Sequence, residues 1–357
     1  MKKLITVAIC IIICISVMPV AFAAEYNGFE YTANSLGNYV ITGYNDFKTE
    51  YVNIPATING ISVTAVGNGA FQNKSNITTV KLPDTVTVIA ANAFTGCKNL
   101  SSVILTANVK SIGSKAFSMC TSLTGINLQN VQTVGEHAFY GCKNLTNLYC
   151  GNALKVIGAY AFQKCASLSF IKQSPNLIYI GNYAFADCTS ITTLTLPDKL
   201  GFIGNSAFKN CTALNSVTFG KGTLEIGSYA FENCSALTAV TLPANITTIG
   251  RHAFSLREAT STEFTNTIKL TCAKNSAGMK YAKSHNTQVY VTDMNKTFTC
   301  FGDINGNGKT DTSDAKTVLR IAASMEYGIT GDKFFLCDIN CNGKIDTGDV
   351  SFILQNS

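Results

Sequence analysis

Hydrophobic positions recur along residues 67–256 with a period far longer than that of a helix or strand. An Ala-Phe pair returns with its Phe at 71, 94, 117, 139, 162, 185, 208, 231 and 254. The steps are 23 residues, except for one of 22 between Phe117 and Phe139. Two shorter patterns lie between consecutive pairs. One alternates, as in Leu100-x-x-Val103-x-Leu105 and Leu237-x-x-Val240-x-Leu242. Residues two apart share one strand face, so this line predicts a short strand with an apolar side. The other is an apolar residue before a Gly, at Ile112, Val134, Ile157, Ile180, Ile203, Ile226 and Ile249. A fixed period of this length predicts a β-rich solenoid of about nine coils. One coil alone buries too little apolar surface to offset its ordering, and stacking adds ladders and shared contacts. The Gly after each Ile is expected at a corner with an unusual backbone angle, and Ala90 takes that slot in one coil.

The flanks read differently. Residues 24–66 alternate around turn signals, with hairpins in "YVITGY" and "VNIPATINGISVTAVG", and are assigned as a β cap on the first coil. Residues 257–292 read as strand, short helix and strand ("NTIKLTC", "NSAGMKYAKSH", "TQVYVT") and predict a closing cap. Residues 293–301 are assigned as a linker. At the start, Lys2 and Lys3, the apolar run Leu4 to Val17 and Ala21-Phe22-Ala23 form a secretion signal over residues 1–23. Cleavage takes the formal charge from +6 to +4 by removing two lysines. Charged residues are only 13% of the chain, which argues against nucleic acid as a partner, and no later stretch is long and apolar enough to predict a membrane span.

Residues 302–357 change character. "DINGNGKTDTSD" (303–314) and "DINCNGKIDTGD" (338–349) are twelve-residue windows of the calcium-loop kind. Oxygen ligands fall at Asp303, Asn305, Asn307, Asp311 and Asp314, then at Asp338, Asn340, Asn342, Asp346 and Asp349. Lys309 and Lys344 hold position seven, which ligates through its backbone carbonyl, so their side chains can point away. Gly308 and Gly343 stand at the sharp turn. Asp in place of Glu at position twelve departs from the usual EF-hand.

Two families are resembled. The pattern "IG-x-x-AF-x-x-C-x-x-L" over about residues 60–256 is similar to BspA-like (Treponema pallidum type) leucine-rich repeats. That resemblance implies an extracellular, non-catalytic role in adhesion and protein binding. The paired loops, 35 residues apart and joined by the helix "DAKTVLRIAASM", resemble a type I-like dockerin. That resemblance implies a small all-α module holding two Ca²⁺ ions and docking on a cohesin of a cellulosome-like scaffoldin. The residues expected to select the cohesin are Thr312, Ser313, Thr347 and Gly348, and the two pairs differ.

Cysteine repeats with the coil at 97, 120, 142, 165, 188, 211 and 234. Equivalent residues in stacked coils point the same way, which is poor disulfide geometry, so these read as small buried apolar residues. Cys300, Cys337 and Cys341 cluster around the loops, with their pairing open. His137 and His252 share one repeat slot five coils apart and read as exposed polar filler. No Ser/His/Asp arrangement or converging carboxylate pair stands out in the repeats.

Outward strand positions form two rows: Lys81, Ile104, Asn127, Tyr149, Lys172, Thr195, Thr218, Thr241, and Thr79, Ser102, Gly125, Asn147, Phe170, Thr193, Ser216, Ala239. The last coils offer mainly Thr, Ser and Ala. Ile104, Tyr149, Phe170 and Lys172 break that habit and are the candidate ligand patch. The expected protein is secreted and non-catalytic, attached through a scaffoldin, and presents its repeats to a protein, cell-surface or polysaccharide ligand. A passive spacer and a polysaccharide-degrading enzyme are the alternatives.

Overall fold

Each coil has three sides, and the sequence pattern decides which is which. The computed structural model describes residues 24–257, 264–265, 268–285, 287–292, 296–298, 310–324, 345 and 349. The signal segment lies outside these.

The alternating line makes the first side. Its strands stack in parallel and in register, so that Asn127 faces Tyr149, Tyr149 faces Lys172, and Thr195 faces Thr218. This row is divided into three sheets, with breaks after Ser102–Ile104 and after Phe170–Lys172. The two-residue strands before each Gly make the second side, one unbroken sheet running from Ile61–Val66 to Thr248–Ile249.

The third side carries the Ala-Phe pair and is neither helix nor strand. Here alternate N–H groups all point to the next coil. Those of Tyr183, Phe185 and Asp187 donate to the carbonyls of Asn205, Ala207 and Lys209 at 2.9, 2.7 and 2.8 Å. The left-handed residues sit here: Tyr183 has φ 55° and Asp187 φ 63°, with equivalents at Asn92, Lys115, His137, Tyr160, Ser206, Tyr229 and His252. The expectation for the Ile-Gly corner is thereby corrected, because none of those glycines has a positive φ. They are required by close approach instead. A Cβ on Gly204 would stand 2.5 Å from the backbone of Asn182 and Gly181 in the preceding coil.

Inside, the nine Phe rings form one column from Phe71 to Phe254. Their centroids are 4.9–5.3 Å apart and their planes agree within 10°. Beside them run the ladder cysteines. Each Sγ donates to the carbonyl of the preceding coil's Phe, at 2.9–3.3 Å. All seven ladder cysteines are free and buried, as the stacking argument requires, and so is Cys150. Burial pushes the thiols of Cys97, Cys142 and Cys234 up to about 12.

The ends follow from the same physics. At the start, Ala24–Tyr26, Phe29–Ala33 and Tyr39–Tyr44 form an antiparallel meander, and the rings of Phe29 and Tyr44 cover Phe71. Both strand rows already begin within residues 24–66, through Tyr51–Asn53 and Ile61–Val66. At the far end, Lys269–Cys272 and Val289–Val291 extend the first side, and Lys296–Phe298, inside the expected linker, adds an antiparallel strand. The last coil's outward N–H groups have no further coil to meet, and helix α1 (Ala277–Ser284) answers them. Its Tyr281 hydroxyl accepts from Phe254 at 3.0 Å, and His285 Nε2 accepts from His252 at 3.4 Å. His252 is thus part of a joint and not the exposed filler expected.

In the C-terminal segment the described residues form helix α2 (Thr312–Ser324), which buries Ala315 and Val318. Among the described residues no helix is long and apolar enough to cross a membrane.

Candidate binding surface

Alternation along a strand sends every second side chain outward, so the three middle strands of the first side display Asn127, Tyr149 and Lys172 in one registered line. Phe170 stands diagonal to Tyr149, and their ring centroids lie 5.7 Å apart with planes tilted by 53°. Both rings are about half exposed, at 46% and 48%. The structure therefore brings Tyr149, Phe170 and Lys172 together. Ile104 is equally exposed but sits on the other side of a sheet break, on Ser102–Ile104.

A recess of about 680 Å³ opens beside this line, walled by Asn127, Gln129, Asn152, Tyr149 and Lys172, with Cys150 and Gly151 also in its wall. Its origin is the one short step in the repeat. The loop between inward residues has three members in the neighbouring coils, Thr106-Ala107-Asn108 and Gly151-Asn152-Ala153. In the coil between them it has two, Gln129-Asn130. The shortened loop draws back and leaves space on both sides; a second recess of about 100 Å³ lies between it and Leu105-Thr106-Ala107. Gly151 closes over the shortened loop, and a Cβ there would overlap the Gln129 carbonyl oxygen. The lining amides were not among the residues singled out from sequence, although the 22-residue step marked their coil.

Gln173 was missed as well. It occupies the inward slot that holds Ile54, Leu82, Leu105, Leu128, Leu196, Phe219 and Leu242 in other coils, and Cys150 of the recess wall in the preceding coil. Its amide nitrogen and oxygen are both shielded from solvent with no hydrogen-bond partner. A polar residue breaking an apolar line was the available signal. A further aromatic pair lies on the second side, where Tyr179 and Phe202 stack at 5.1 Å between exposed Ile178 and Leu224.

Of the expected calcium ligands, Asp303, Asn305, Asn307, Lys309, Asp338, Asn340, Asn342, Lys344 and Asp346 lie outside the described residues, as do Thr347 and Gly348. Asp311 and Asp314 are described and lie together. Asp311 Oδ1 accepts from the Ser313 N–H and hydroxyl at 2.8 and 2.6 Å, and the Asp311 N–H donates to Asp314 Oδ2 at 3.0 Å. Asp314 and Asp349, the final residues of the two loops, are fully buried, whereas Thr312 and Ser313 are exposed on the first turn of α2. Among the described residues no three His, Cys, Asp or Glu side chains are grouped closely enough to hold a metal.

The family described as BspA type leucine rich repeat region matches residues 40–169 and 155–280, with six copies. Among curated proteins there is no match. Among solved structures, a leucine rich cell surface protein from Faecalibacterium prausnitzii A2-165 is similar at 26% identity and a TM-score of 0.54, over 65% of this chain and 73% of that one. A leucine-rich repeat protein from Bacteroides ovatus ATCC 8483 shares the fold at 24% identity and a TM-score of 0.59. That similarity covers 71% of this chain and 66% of the other, so this chain spans just under two thirds of its length. The repeat match runs through most of the described coils, and the chain belongs to the BspA-type leucine-rich repeat family.

Proposed function

We propose that this chain is a secreted, non-catalytic binding protein that holds a ligand on the first side of its middle coils. The observation that carries the reading is the half-exposed pair Tyr149 and Phe170 next to Lys172, with Tyr149 and Lys172 also lining a recess, on a face whose later coils carry Thr, Ser and Ala. Large aromatics exposed together on an otherwise short-chained polar face are the usual anchors of recognition. Family membership supports a binding role, and the similar Faecalibacterium structure is described as a cell surface protein. The test is capture of secreted proteins and surface glycans of the source bacterium by the intact mature chain. Tyr149→Ala with Phe170→Ala is expected to abolish that capture, and undiminished capture refutes the assignment.

The C-terminal segment is proposed as a dockerin. In it Asp303, Asn305, Asn307, Asp311, Asp314 and the Lys309 carbonyl would hold one Ca²⁺. Asp338, Asn340, Asn342, Asp346, Asp349 and the Lys344 carbonyl would hold the second. Thr312, Ser313, Thr347 and Gly348 would face the cohesin. Support comes from the contact between Asp311 and Asp314, two donors of the first loop, and from the exposure of Thr312 and Ser313 beside them. Bound calcium would hold each loop's oxygens together and order the helix that follows. Chelation is therefore expected to lower the helical circular dichroism of the whole protein and to release it from a cohesin column. A spectrum and a retention unchanged by excess chelator refute it.

A further inference from the structure

We propose that the recess beside Tyr149 is a saccharide subsite, taking a pyranose ring of a glycan; the proposal rests on the binding reading given above. Four observations combine. First, the walls carry four amides, Asn127, Gln129, Asn130 and Asn152, together with one cation, Lys172, and no carboxylate; Asn127 Oδ1 also accepts from the Gln129 N–H at 3.1 Å. An amide offers a donor and an acceptor a short distance apart, the pairing that adjacent sugar hydroxyls present in return. Second, Tyr149 and Phe170 stand as an open wedge at 53° and not as a flat stack. Tyr149, the ring of the pair that lines the recess, offers a π face to the C–H-rich face of a sugar while leaving its hydroxyls to the amides. Third, the volume of about 680 Å³ falls within the range of small-ligand pockets, about 300–1,000 Å³, and suits a short oligosaccharide.

The fourth observation is Gln173. Both polar atoms of its amide are shielded and unpartnered, in a slot filled by apolar residues in every neighbouring coil but one, where Cys150 stands. An unpaired buried amide is costly, and Gln173 carries that cost directly behind the recess wall, next to Lys172, without lining the recess itself. A protein partner fits these features less well. Its stable interfaces cover about 800 Å² per side, whereas the outward neighbours Thr193, Thr195, Ser216 and Thr218 supply no further anchor on one side and the preceding sheet adds only Ile104 on the other.

A glycan array with neutral-hexose, amino-sugar and uronate oligosaccharides, followed by calorimetry on the intact protein, tests the proposal. At least one oligosaccharide is expected to bind, with Tyr149→Ala weakening it about tenfold or more and Asn152→Ala severalfold; both side chains point outward, and unchanged melting curves confirm folding. Lys172→Gln separates the ligand sources: it weakens a uronate and leaves a neutral sugar unaffected. Absence of binding across the array, or binding indifferent to Tyr149→Ala, overturns the saccharide assignment. If Tyr149→Ala instead abolishes capture of a protein while no glycan binds, the surface reading stands and the saccharide inference fails. If neither a protein nor a glycan responds to Tyr149→Ala, both fail.

Discussion

Replacing Gln173 by Leu restores the apolar line of its coil, and the fold makes the consequence calculable. Each buried polar atom left without a partner costs about 1–3 kcal/mol, and Gln173 carries two. Leu adds apolar burial in a slot that already takes Leu at 82, 128, 196 and 242. Part of that gain is already realised, because the residue is only half-buried and its methylenes share the slot. We therefore expect the variant to be stabilised by about 2–4 kcal/mol, the lower part of the combined range. The lower figure corresponds to a rise of about 4–8 °C in melting midpoint for a unit of this size. Urea unfolding is expected to show a higher midpoint with an unchanged slope, which isolates stability from a change in the unfolded chain. Gln173→Met keeps the unbranched shape and drops the amide, so it should recover most of the effect. A midpoint that falls or stays still in both variants refutes the reasoning, since the amide would then have partners that the orphaned atoms do not reveal.

Three further outcomes follow from the stack. Phe185→Ala removes a fully buried ring stacked on Phe162 and Phe208 at 5.2 and 5.3 Å, and is expected to cost about 3–5 kcal/mol in urea unfolding, against about 1–1.5 kcal/mol for Phe185→Leu. Acid should loosen the joint to the closing cap. Desolvation holds both His252 and His285 below their ordinary 6.5, and the neighbouring charge of Arg251 pushes the same way. Folding thus favours the neutral rings, so this stability is complete above pH 6.5 and is lost as pH falls below it toward the folded-state values. Hydrogen-exchange protection of the His252 and Phe254 amides is the measurement, and an equal pH dependence in a His252→Gln, His285→Gln variant counts against it. The seven ladder thiols should stay silent to a thiol reagent in the native protein and react in denaturant, because burial suppresses the thiolate that attacks. Modification of Cys142 or Cys165 in the native state, read by mass spectrometry, is the contrary result.

Periodicity made the coil legible from sequence because stacking imposes the same geometry on every copy. The Phe column, the inward Ile line and the free cysteines all follow from residues repeating in one slot. The backbone of the third side was not legible. In the slot of Tyr183 the left-handed positions carry Asn, Lys, His, Tyr and Ser, so side-chain chemistry gives no common signal there, although the slot of Asp187 favours Asn and Gly (Asn73, Gly96, Gly141, Asn210, Asn233). The glycine after each Ile marked a different place. Glycine was needed after each Ile because backbones of successive coils meet there, a tertiary contact that a single coil does not show. His252 misled for a similar reason. In mid-stack its slot is half-covered by the neighbouring coils, as where His137 stacks on Tyr160, and only the last coil finds a cap against it.

The candidate site was legible in outline through Tyr149, Phe170 and Lys172, yet its cavity was not, because the cavity comes from what is missing. A perfectly regular solenoid presents the same shallow face at every coil and can discriminate ligands only through its outward side chains. Removing one loop residue at Gln129-Asn130 shifts a backbone segment without disturbing the inward line, since Val109, Val131 and Leu154 remain buried on either side of it. The strand ladder breaks one coil before and one coil after this region, and Gln173 interrupts the core at the same level. Four departures from the period thus fall within neighbouring coils, and the unpartnered amide of Gln173 lowers stability. Drift would scatter such defects along the stack. Their concentration around the only half-exposed aromatic pair on this side, among the described residues, is the physical reason to read them as one site.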